Sequence, residues 1–528
     1  MNILIADAVS PAAVAVLKAV PEFTVIVSNK DEYRNYLAEA DAMLIRSGVK
    51  ATKDVLAAAP NLKVIGRAGV GVDNVDTEEA TARGVVVMNT PGGNAIAVAE
   101  HTLALMLCLA RSLHLASEST KSGKWEKKKF LGNEIGDKTL GIVGLGNIGM
   151  QVARRARPFG MTVLAYDPFV SSDLAQDRGI QMVELDELFA KSDYLSLHVA
   201  LTEETRDLVN SASIAKMKDG VRIINCARGE LVNIDDLDAA LESGKVAGAA
   251  LDVFPSEPAG ELPVFRHPNL IATPHIGGST EEAQELVGIR IAEQVRDFLT
   301  DGVVMNAVNM PSVSAEQYAK LSPYLKLAER LGKFAAQIVD GRLVRVKLTY
   351  SGEFGETNSH LIRNAALAGV LNRFLEEKAN LINAAQVAKE RGFGVAETRR
   401  GRTEFADSVA VMLETEKGEV CVEGAVFPDG SPRLISVDGI YVESPLDGHM
   451  LFIKNEDVPG VIGRFGSILG ENGVNIADFS LGRGPKASAD APAEAVAAVR
   501  VDSAIPKEAL DQLEAVKAVR FARTVNLS

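Results

Sequence analysis

The sequence predicts an α/β chain with two doubly wound parallel sheets, followed by an α+β segment and a small ferredoxin-like module. Three observations carry that expectation. Short β-rich runs alternate with Ala-, Leu- and Glu-rich helical stretches over about the first 300 residues, the pattern of parallel strands covered by helices. The alternation starts afresh at Thr139, which implies two sheets and a cleft between two lobes. The end of the chain reads β-α-β-β-α-β, the order of a ferredoxin-like fold.

In the first series the strands are Asn2–Asp7, Phe23–Ser28, Ala42–Ser47, Leu62–Ala68 and Val85–Asn89. One long helix, free of internal Gly and Pro, is expected from about Asn94 to His114. The second series gives strands Leu140–Val143, Thr162–Tyr166, Tyr194–His198, Arg222–Cys226, Gly248–Val253 and Leu270–Thr273, then an amphipathic helix over 279–300. Residues 307–324, with Pro311 and Pro323, read as a connector. Beyond it come β-type runs Val344–Thr349, Ser408–Leu413 and Val420–Val426 and helices near 358–375 and 379–390. The last module has strands Met450–Lys454, Val474–Leu481, Ala495–Val501 and Val516–Thr524, helices Gly460–Asn472 and Pro506–Gln512, and a small-residue loop from Gly482 to Pro492 that reads as mobile.

A chain of 528 residues is too long for one core and implies three or four domains. With 47% hydrophobic and 24% charged residues it can bury large cores. A net charge of -14 argues against nucleic acid as a partner, so an anionic substrate has to be held by local Arg and Lys. Cys108, Cys226 and Cys421 show neither metal-ligand spacing nor a disulfide framework, so no metal is expected and a reducing cytoplasm fits. No signal-type run precedes the first strand. The apolar stretch Ala95–Ala110 contains Glu100 and His101 and reads as a buried helix, not a membrane span.

The sharpest local signal is Gly144-Leu-Gly146-Asn147-Ile148-Gly149, which follows a strand and opens the helical run Met150–Phe159. In that setting Gly144 permits the tight turn, Gly146 lets backbone amides approach a pyrophosphate, and Gly149 allows close helix–strand packing in a Rossmann-like unit. The helix N-terminus turns its positive end to the phosphates. Asp167, 18 residues past Gly149 at the end of the next strand, can accept from ribose hydroxyls and would repel a 2′-phosphate. Pro168 and Phe169 follow instead of Arg, which favours NAD over NADP.

Ligands of doubly wound sheets bind beyond the carboxyl ends of the strands. Three successive strands deliver Arg228, Glu257 and His275 there. Oxidation of a hydroxyl-bearing carbon needs a base near neutrality, which suits His275. Glu257 can hold the far side of that imidazole. Arg228 can clamp a substrate carboxylate bidentately. The bland alternatives are a surface Arg, a loop Glu and a capping His; joint placement on adjacent strand ends weighs against them. His198 is the second choice as base. His101 and His114 sit in the long helix with core or surface roles, and His267, His360 and His449 lie in turns or other domains. Cys226 has no evident base and reads as lining the cofactor.

The segments Ile224-Asn-Cys226-Ala227-Arg228-Gly-Glu-Leu-Val232, Leu251-Asp252-Val-Phe-Pro-Ser-Glu257-Pro258 and Thr273-Pro-His275-Ile-Gly-Gly-Ser-Thr280 resemble the D-2-hydroxyacid dehydrogenases. The first lobe adds Val64-Ile-Gly-Arg67-Ala68-Gly69-Val-Gly-Val-Asp73-Asn and Asn89-Thr-Pro-Gly-Gly-Asn94. The resemblance covers the whole chain and extends to that family's long, phosphoglycerate-oxidising branch. It implies that Arg228, Glu257 and His275 are catalytic, and that Cys226, Ala227 and Asp252 touch the nicotinamide end of NAD. It further implies that Arg46, Arg67 and Asn94 line the substrate pocket, with backbone donors around Ser47, Gly48, Ala68 and Gly69. The implied substrate is 3-phosphoglycerate, with another 2-hydroxyacid or 2-oxoacid such as glyoxylate or 2-oxoglutarate as one alternative and a nucleotide-sensing binding protein as another. Two departures stand out: Val199-Ala200 replaces a common Thr-Pro, and Val70 replaces a Thr found in some relatives.

The resemblance also implies a division into 1–95 with 280–306 for substrate, 96–279 for NAD, 307–445 as an intervening domain and 446–528 as a regulatory ACT domain. Asn455-Glu-Asp457-Val-Pro-Gly460 and Gly473-Val-Asn475 resemble the ACT pattern. Asn455, Asp457 and Asn475 would then hold an effector, L-serine, in a homotetramer; the alternative is a purely oligomerising module. Two basic features remain open. Lys121, Lys124, Lys127, Lys128 and Lys129 around Trp125 form either a solvated loop or one that reaches a neighbouring subunit's cleft and attracts phosphate. Arg399, Arg400 and Arg402 read as a basic turn that would bind an effector anion.

Overall fold

A computed structural model describes residues 1–310, 315–352, 359–373, 379–400, 407–485 and 492–527. Its described residues hold four sheets. The first is all parallel and five-stranded, in the order Thr24–Val27, Asn2–Ile5, Ala42–Ile45, Val64–Arg67, Val86–Met88. The second is all parallel and seven-stranded: Leu270–Ala272, Val246–Leu251, Val221–Asn225, Tyr194–Leu197, Thr139–Val143, Thr162–Tyr166, Gln181–Met182. Strands covered on both faces must be apolar throughout, and Ala42–Ile45 and Tyr194–Leu197 are buried at every position. The strand order reverses between Thr139–Val143 and Tyr194–Leu197, and a crevice opens at such a point.

Helix Glu281–Asp301 returns to the first lobe, where Val287, Ile291, Ala292 and Val295 join the core under that sheet. The chain therefore crosses between the lobes twice, before helix Ala95–Arg111 and before helix Glu281–Asp301. The crossings sit close together: a side chain on Gly278 would meet Asn94, and one on Gly93 would meet Val287.

The third sheet is mixed and the fourth antiparallel. The third runs Gly394–Arg400, Leu343–Ser351, Ser408–Thr415, Gly418–Val426, Pro432–Val437, Ile440–Pro445, with only the first pair parallel. The fourth runs Ile476–Arg483, Glu494–Val501, His449–Glu456, Val519–Asn526. Helix Ala315–Ile338 lies between these two sheets. Leu327, Ala328, Leu331, Phe334 and Ala335 are fully buried in one cluster with Val346, Leu348 and Val411 of the third sheet and Phe452, Val496 and Ala498 of the fourth. The helix is amphipathic: Glu316, Lys320 and Lys326 stay exposed, and its apolar residues face both sheets. The two C-terminal sheets thus share a core.

Several expectations are corrected. The long helix ends at Arg111; Ser112 takes φ 46°, and helix Leu113–Lys121 leaves at 65°. The turn is set by tertiary contact, since His114 Nε2 reaches the Pro268 carbonyl at 2.9 Å, and no Gly or Pro announces it. The connector is shorter than expected, because helix Ala315–Ile338 takes in Pro323. Proline is costly inside a helix, but the apolar face beyond it is buried between two sheets. Arg399 and Arg400 end a strand, not a turn; Arg402 lies outside the described residues. Strands Gln181–Met182, Pro432–Val437 and Ile440–Pro445 went unread in the sequence, being short or carrying Pro, Ser and charged residues. Of the small-residue loop, 486–491 lie outside the described residues, and the strand before it runs to Arg483. Among the described residues no single helix is long and apolar enough to cross a membrane.

Candidate active site between the two parallel sheets

The glycine-rich turn has the form its sequence demands. Gly144 sits at φ 92°, and a side chain there would strike the His198 carbonyl. Gly146 caps helix Asn147–Ala156 and faces open space, so its amide and those that follow are free to meet an anion. Gly149 packs against the Gly144 carbonyl, and Ile148 lies against the core behind it. Asp167 accepts from Leu145 N and Phe169 N, both at 2.8 Å, one on each oxygen. Each carboxylate oxygen keeps lone-pair capacity for a ribose hydroxyl. An open amide cradle with an acid fixed beside it fits a dinucleotide.

Asn225 is fully buried at the end of its strand. It accepts from Ala227 N at 3.0 Å and donates to the Arg228 carbonyl at 2.7 Å. That clip turns the chain and presents Arg228, whose Nη1 bonds the Ala227 carbonyl at 2.7 Å and whose Nη2 pairs with Asp73 Oδ2 at 3.0 Å. Arg228 therefore reaches across to the loop after strand Val64–Arg67. Gly229 lies against the backbone of Phe254 and Pro255, a position a Cβ would block, which seats the Arg228 turn beside the loop carrying Glu257.

Glu257 Oε2 meets His275 Nδ1 at 2.8 Å, and Oε1 accepts from Phe254 N at 3.3 Å. His275 has φ 53°, a left-handed conformation unusual for a side-chain-bearing residue. Asp252, 1% exposed, holds the loop there: it accepts from Ile276 N at 2.9 Å, Gly277 N at 2.8 Å and Thr273 Oγ1 at 2.6 Å, and lies 3.4 Å from His101 Nε2. Burial pushes the Asp252 carboxyl up, and these donors pull it further down, leaving it below the usual carboxylate range.

In the first lobe Arg67 is half-buried, and its buried Nε has no partner among the described residues. Burial and the neighbouring Arg228 push its guanidinium below its ordinary value; Asp73 pulls the other way, and Arg46 and Asp7 follow. Arg46 Nη1 touches the Ala8 carbonyl at 3.3 Å and Gln284 Oε1 at 3.4 Å. Gly48 N donates to Asp7 at 2.8 Å, and Gly69 is bracketed by Thr90. Ser47 is exposed beside Arg46, and Ala68 is buried. Asn94 Oδ1 is buried without a partner among the described residues. Three clustered Arg, one with an unsatisfied buried nitrogen, form a site poised for an anion of more than one charge.

The other candidates divide. Cys226 is buried beside Thr102, and burial holds its thiol up at about 12, in the neutral form. His198 is shielded: Nε2 meets Ser196 Oγ at 2.8 Å, Nδ1 has no partner among the described residues, and burial lowers its pKa to about 4. It is neutral and sits on a strand end. Asp73, Asn225 and Thr273 carry no role in the sequence analysis, and His101 only a core or surface one; Asn225 ends a strand and Asp73 lies in the loop after one, where a search of strand ends for uncharged clips and acids finds them.

The C-terminal pocket, about 310 Å³, is lined by Asn455, Asp457, Val458 to Gly463, Leu481 and Arg483. Asn455 is 3% exposed with an unpartnered Oδ1 among the described residues, and Arg483 Nε lies 3.2 Å from Asp457. Asn475 does not join it within one chain. Arg483 is level with Asn455 across the sheet, whereas Ile476 lies level with Val501 at the other end. Seven strand residues span roughly 23 Å, and Asn475 instead bonds Asp502 at 2.6 Å.

Three family models match the chain: the NAD binding domain of D-isomer specific 2-hydroxyacid dehydrogenases over 103–277, the D-3-phosphoglycerate dehydrogenase intervening domain over 320–438, and the ACT domain over 449–518. The D-lactate dehydrogenase of Aquifex aeolicus, solved with NAD and lactic acid, superposes with a TM-score of 0.52 at 31% identity, covering 59% of this chain and all of that one. Fold and cleft thus define an NAD-dependent dehydrogenase of the D-2-hydroxyacid class. The chain is also 42% identical to the D-3-phosphoglycerate dehydrogenase of Synechocystis, covering 100% of this chain and 95% of that one, and 39% identical to that of Methanocaldococcus jannaschii over 100% of both. It belongs to the D-3-phosphoglycerate dehydrogenase family.

Proposed function

We propose that this chain oxidises 3-phosphoglycerate to 3-phosphohydroxypyruvate with NAD, the first step of L-serine biosynthesis. The observation that carries the reading is the His275–Glu257 pair at 2.8 Å, on a rim shared with the Arg228 turn. A carboxylate on Nδ1 keeps the proton there and leaves Nε2 as the basic nitrogen. His275 Nε2 takes the proton of the C2 hydroxyl, and Glu257 stabilises the imidazolium that forms. Arg228 clamps the substrate carboxylate and polarises the forming carbonyl. Arg46 and Arg67, with Ser47 and Asn94, hold the phosphate-bearing end, while the amides of Gly48 and Gly69 are spent on Asp7 and Thr90 and shape the loops around it. NAD, when bound, supplies the acceptor for the hydride that leaves C2. Gly144, Gly146, Asn147, Ile148 and Gly149 cradle its pyrophosphate, Asp167 its ribose, and Cys226, Ala227 and Asp252 line its nicotinamide end.

In this reading residues 1–95 with 280–306 bind substrate, 96–279 bind NAD, 307–445 intervene, and 446–528 regulate. L-serine binds near Asn455 and Asp457 in a cytoplasmic homotetramer, and the Lys121–Lys129 loop reaches a neighbour's cleft. The test is NADH formation with a panel of acids. Turnover with 3-phosphoglycerate at a kcat/KM at least a hundredfold above those for lactate, glyoxylate-derived and 2-hydroxyglutarate substrates is expected. Equal or better turnover of an unphosphorylated acid overturns the substrate, and no NADH with any acid overturns the reaction. Serine titration in the same assay tests the effector.

A further inference from the structure

Asp252 organises the loop that carries His275, and three of its four donors, Thr273, Ile276 and Gly277, belong to that loop. The fourth, His101, comes from elsewhere: helix Ala95–Arg111, which begins directly after Asn94 at the crossing between the lobes. His101 Nε2 lies 3.3 Å from Thr273 Oγ1 and 3.4 Å from Asp252 Oδ1. Thr273 has one hydroxyl hydrogen, and the 2.6 Å bond to Asp252 uses it. Its oxygen can then only accept, and so can Asp252, so His101 must carry its proton on Nε2 and share it between the two.

From this we infer that His101 is a positioning residue for the dehydrogenation: it ties the loop of His275 to the interlobe helix through Asp252 and Thr273. The inference rests on the reading of His275 as the base. His275 is held at φ 53°, a conformation that persists only where surroundings enforce it. Asp252 is almost wholly buried, and a buried carboxylate that loses a donor keeps the full cost of the unmet bond. The loop's own donors tie it to Asp252 at the end of strand Val246–Leu251; His101 adds the tie from that carboxylate and Thr273 to helix Ala95–Arg111. A displacement of about 1 Å at a proton-transfer site costs roughly a hundredfold in rate.

The test uses the full chain and three substitutions, His101→Leu, His101→Asn and His101→Gln. A Gln amide reaches the place of Nε2; an Asn amide stops short, and Leu has no donor. The expected result is a kcat lowered ten- to a hundredfold for Leu and Asn, a KM for the hydroxy acid within twofold of wild type, and a kinetic isotope effect on C2-deuterated substrate that rises toward its intrinsic value as chemistry becomes limiting. Gln restores kcat to within threefold. If Leu does not fold, Asn carries the same expectation. Wild-type kcat and isotope effect in Asn or Leu overturn the inference, as does a Gln variant as slow as Asn. His275→Asn, assayed beside them, separates the two layers: activity retained there sinks the reading of the base, whereas its loss with an unaffected His101→Leu sinks only the role of His101.

Discussion

The parallel and antiparallel halves of this molecule build their sites by different physics. In the seven-stranded parallel sheet every strand points the same way, so the residues that follow Val221–Asn225, Val246–Leu251 and Leu270–Ala272 emerge on one rim. Arg228, Glu257 and His275 need no further device to share that rim. In the antiparallel C-terminal sheet successive strand ends alternate between opposite edges, and Asn475 ends far from Asn455 and Asp457. What that half gains is continuity: helix Ala315–Ile338 is common to two sheets, so the pocket sheet and the intervening sheet cannot come apart without opening one core. Polarity of strands concentrates chemistry; a shared helix couples mechanics.

The most severe way to break the first half is His275→Asn. Loss of a general base costs about 10² to 10⁴ in rate, and a fall of at least about 10³ in kcat, or about 4 kcal/mol, is expected in the NADH assay with protein of unchanged thermal stability. In the second half the matching stroke is Phe334→Ala. Phe334 is fully buried and meets Phe452 edge to face at 5.7 Å. The substitution should cost about 3–5 kcal/mol, read in urea. If the core is shared, hydrogen exchange will speed up in both C-terminal sheets together; protection lost in one sheet alone would refute the coupling.

A subtler contrast sets His275 against His198. The His198 ring stays neutral in the folded chain down to about pH 4, whereas the unfolded ring protonates near 6.5. Between those values the unfolded state binds the extra proton, so this contribution to stability is complete above pH 6.5 and is lost as pH falls toward 4. Between pH 7.5 and 5 the loss should be about 2 kcal/mol. It should be absent in His198→Gln when the two proteins are unfolded in urea at both pH values. The smallest effect concerns the exposed loop, where Trp125 is 85% exposed. Replacing Lys128 and Lys129 by Ala should raise KM for 3-phosphoglycerate a few-fold and leave kcat alone, consistent with about 1 kcal/mol for screened surface charges; an unchanged KM leaves the loop a solvated one.

By itself the sequence determined whatever is local or periodic. A glycine at Gly144, where φ is 92°, the apolar run of each parallel strand and the acid at Asp167 are requirements of a few adjacent residues, so they are written in order along the chain. The Arg228, Glu257 and His275 set was legible for the same reason, since strand direction converts three sequence neighbourhoods into one rim. Tertiary structure alone decided what depends on partners remote in sequence. Ser112 breaks a helix that carries no stop signal because His114 finds the Pro268 carbonyl. Pro323 stays inside a helix because two sheets close over the apolar face that follows it. His101 was read as a core or surface residue because Asp252, its partner in the fold, lies 151 positions away along the chain. Such pairings are set by how elements pack in three dimensions, and residue order carries no local trace of them.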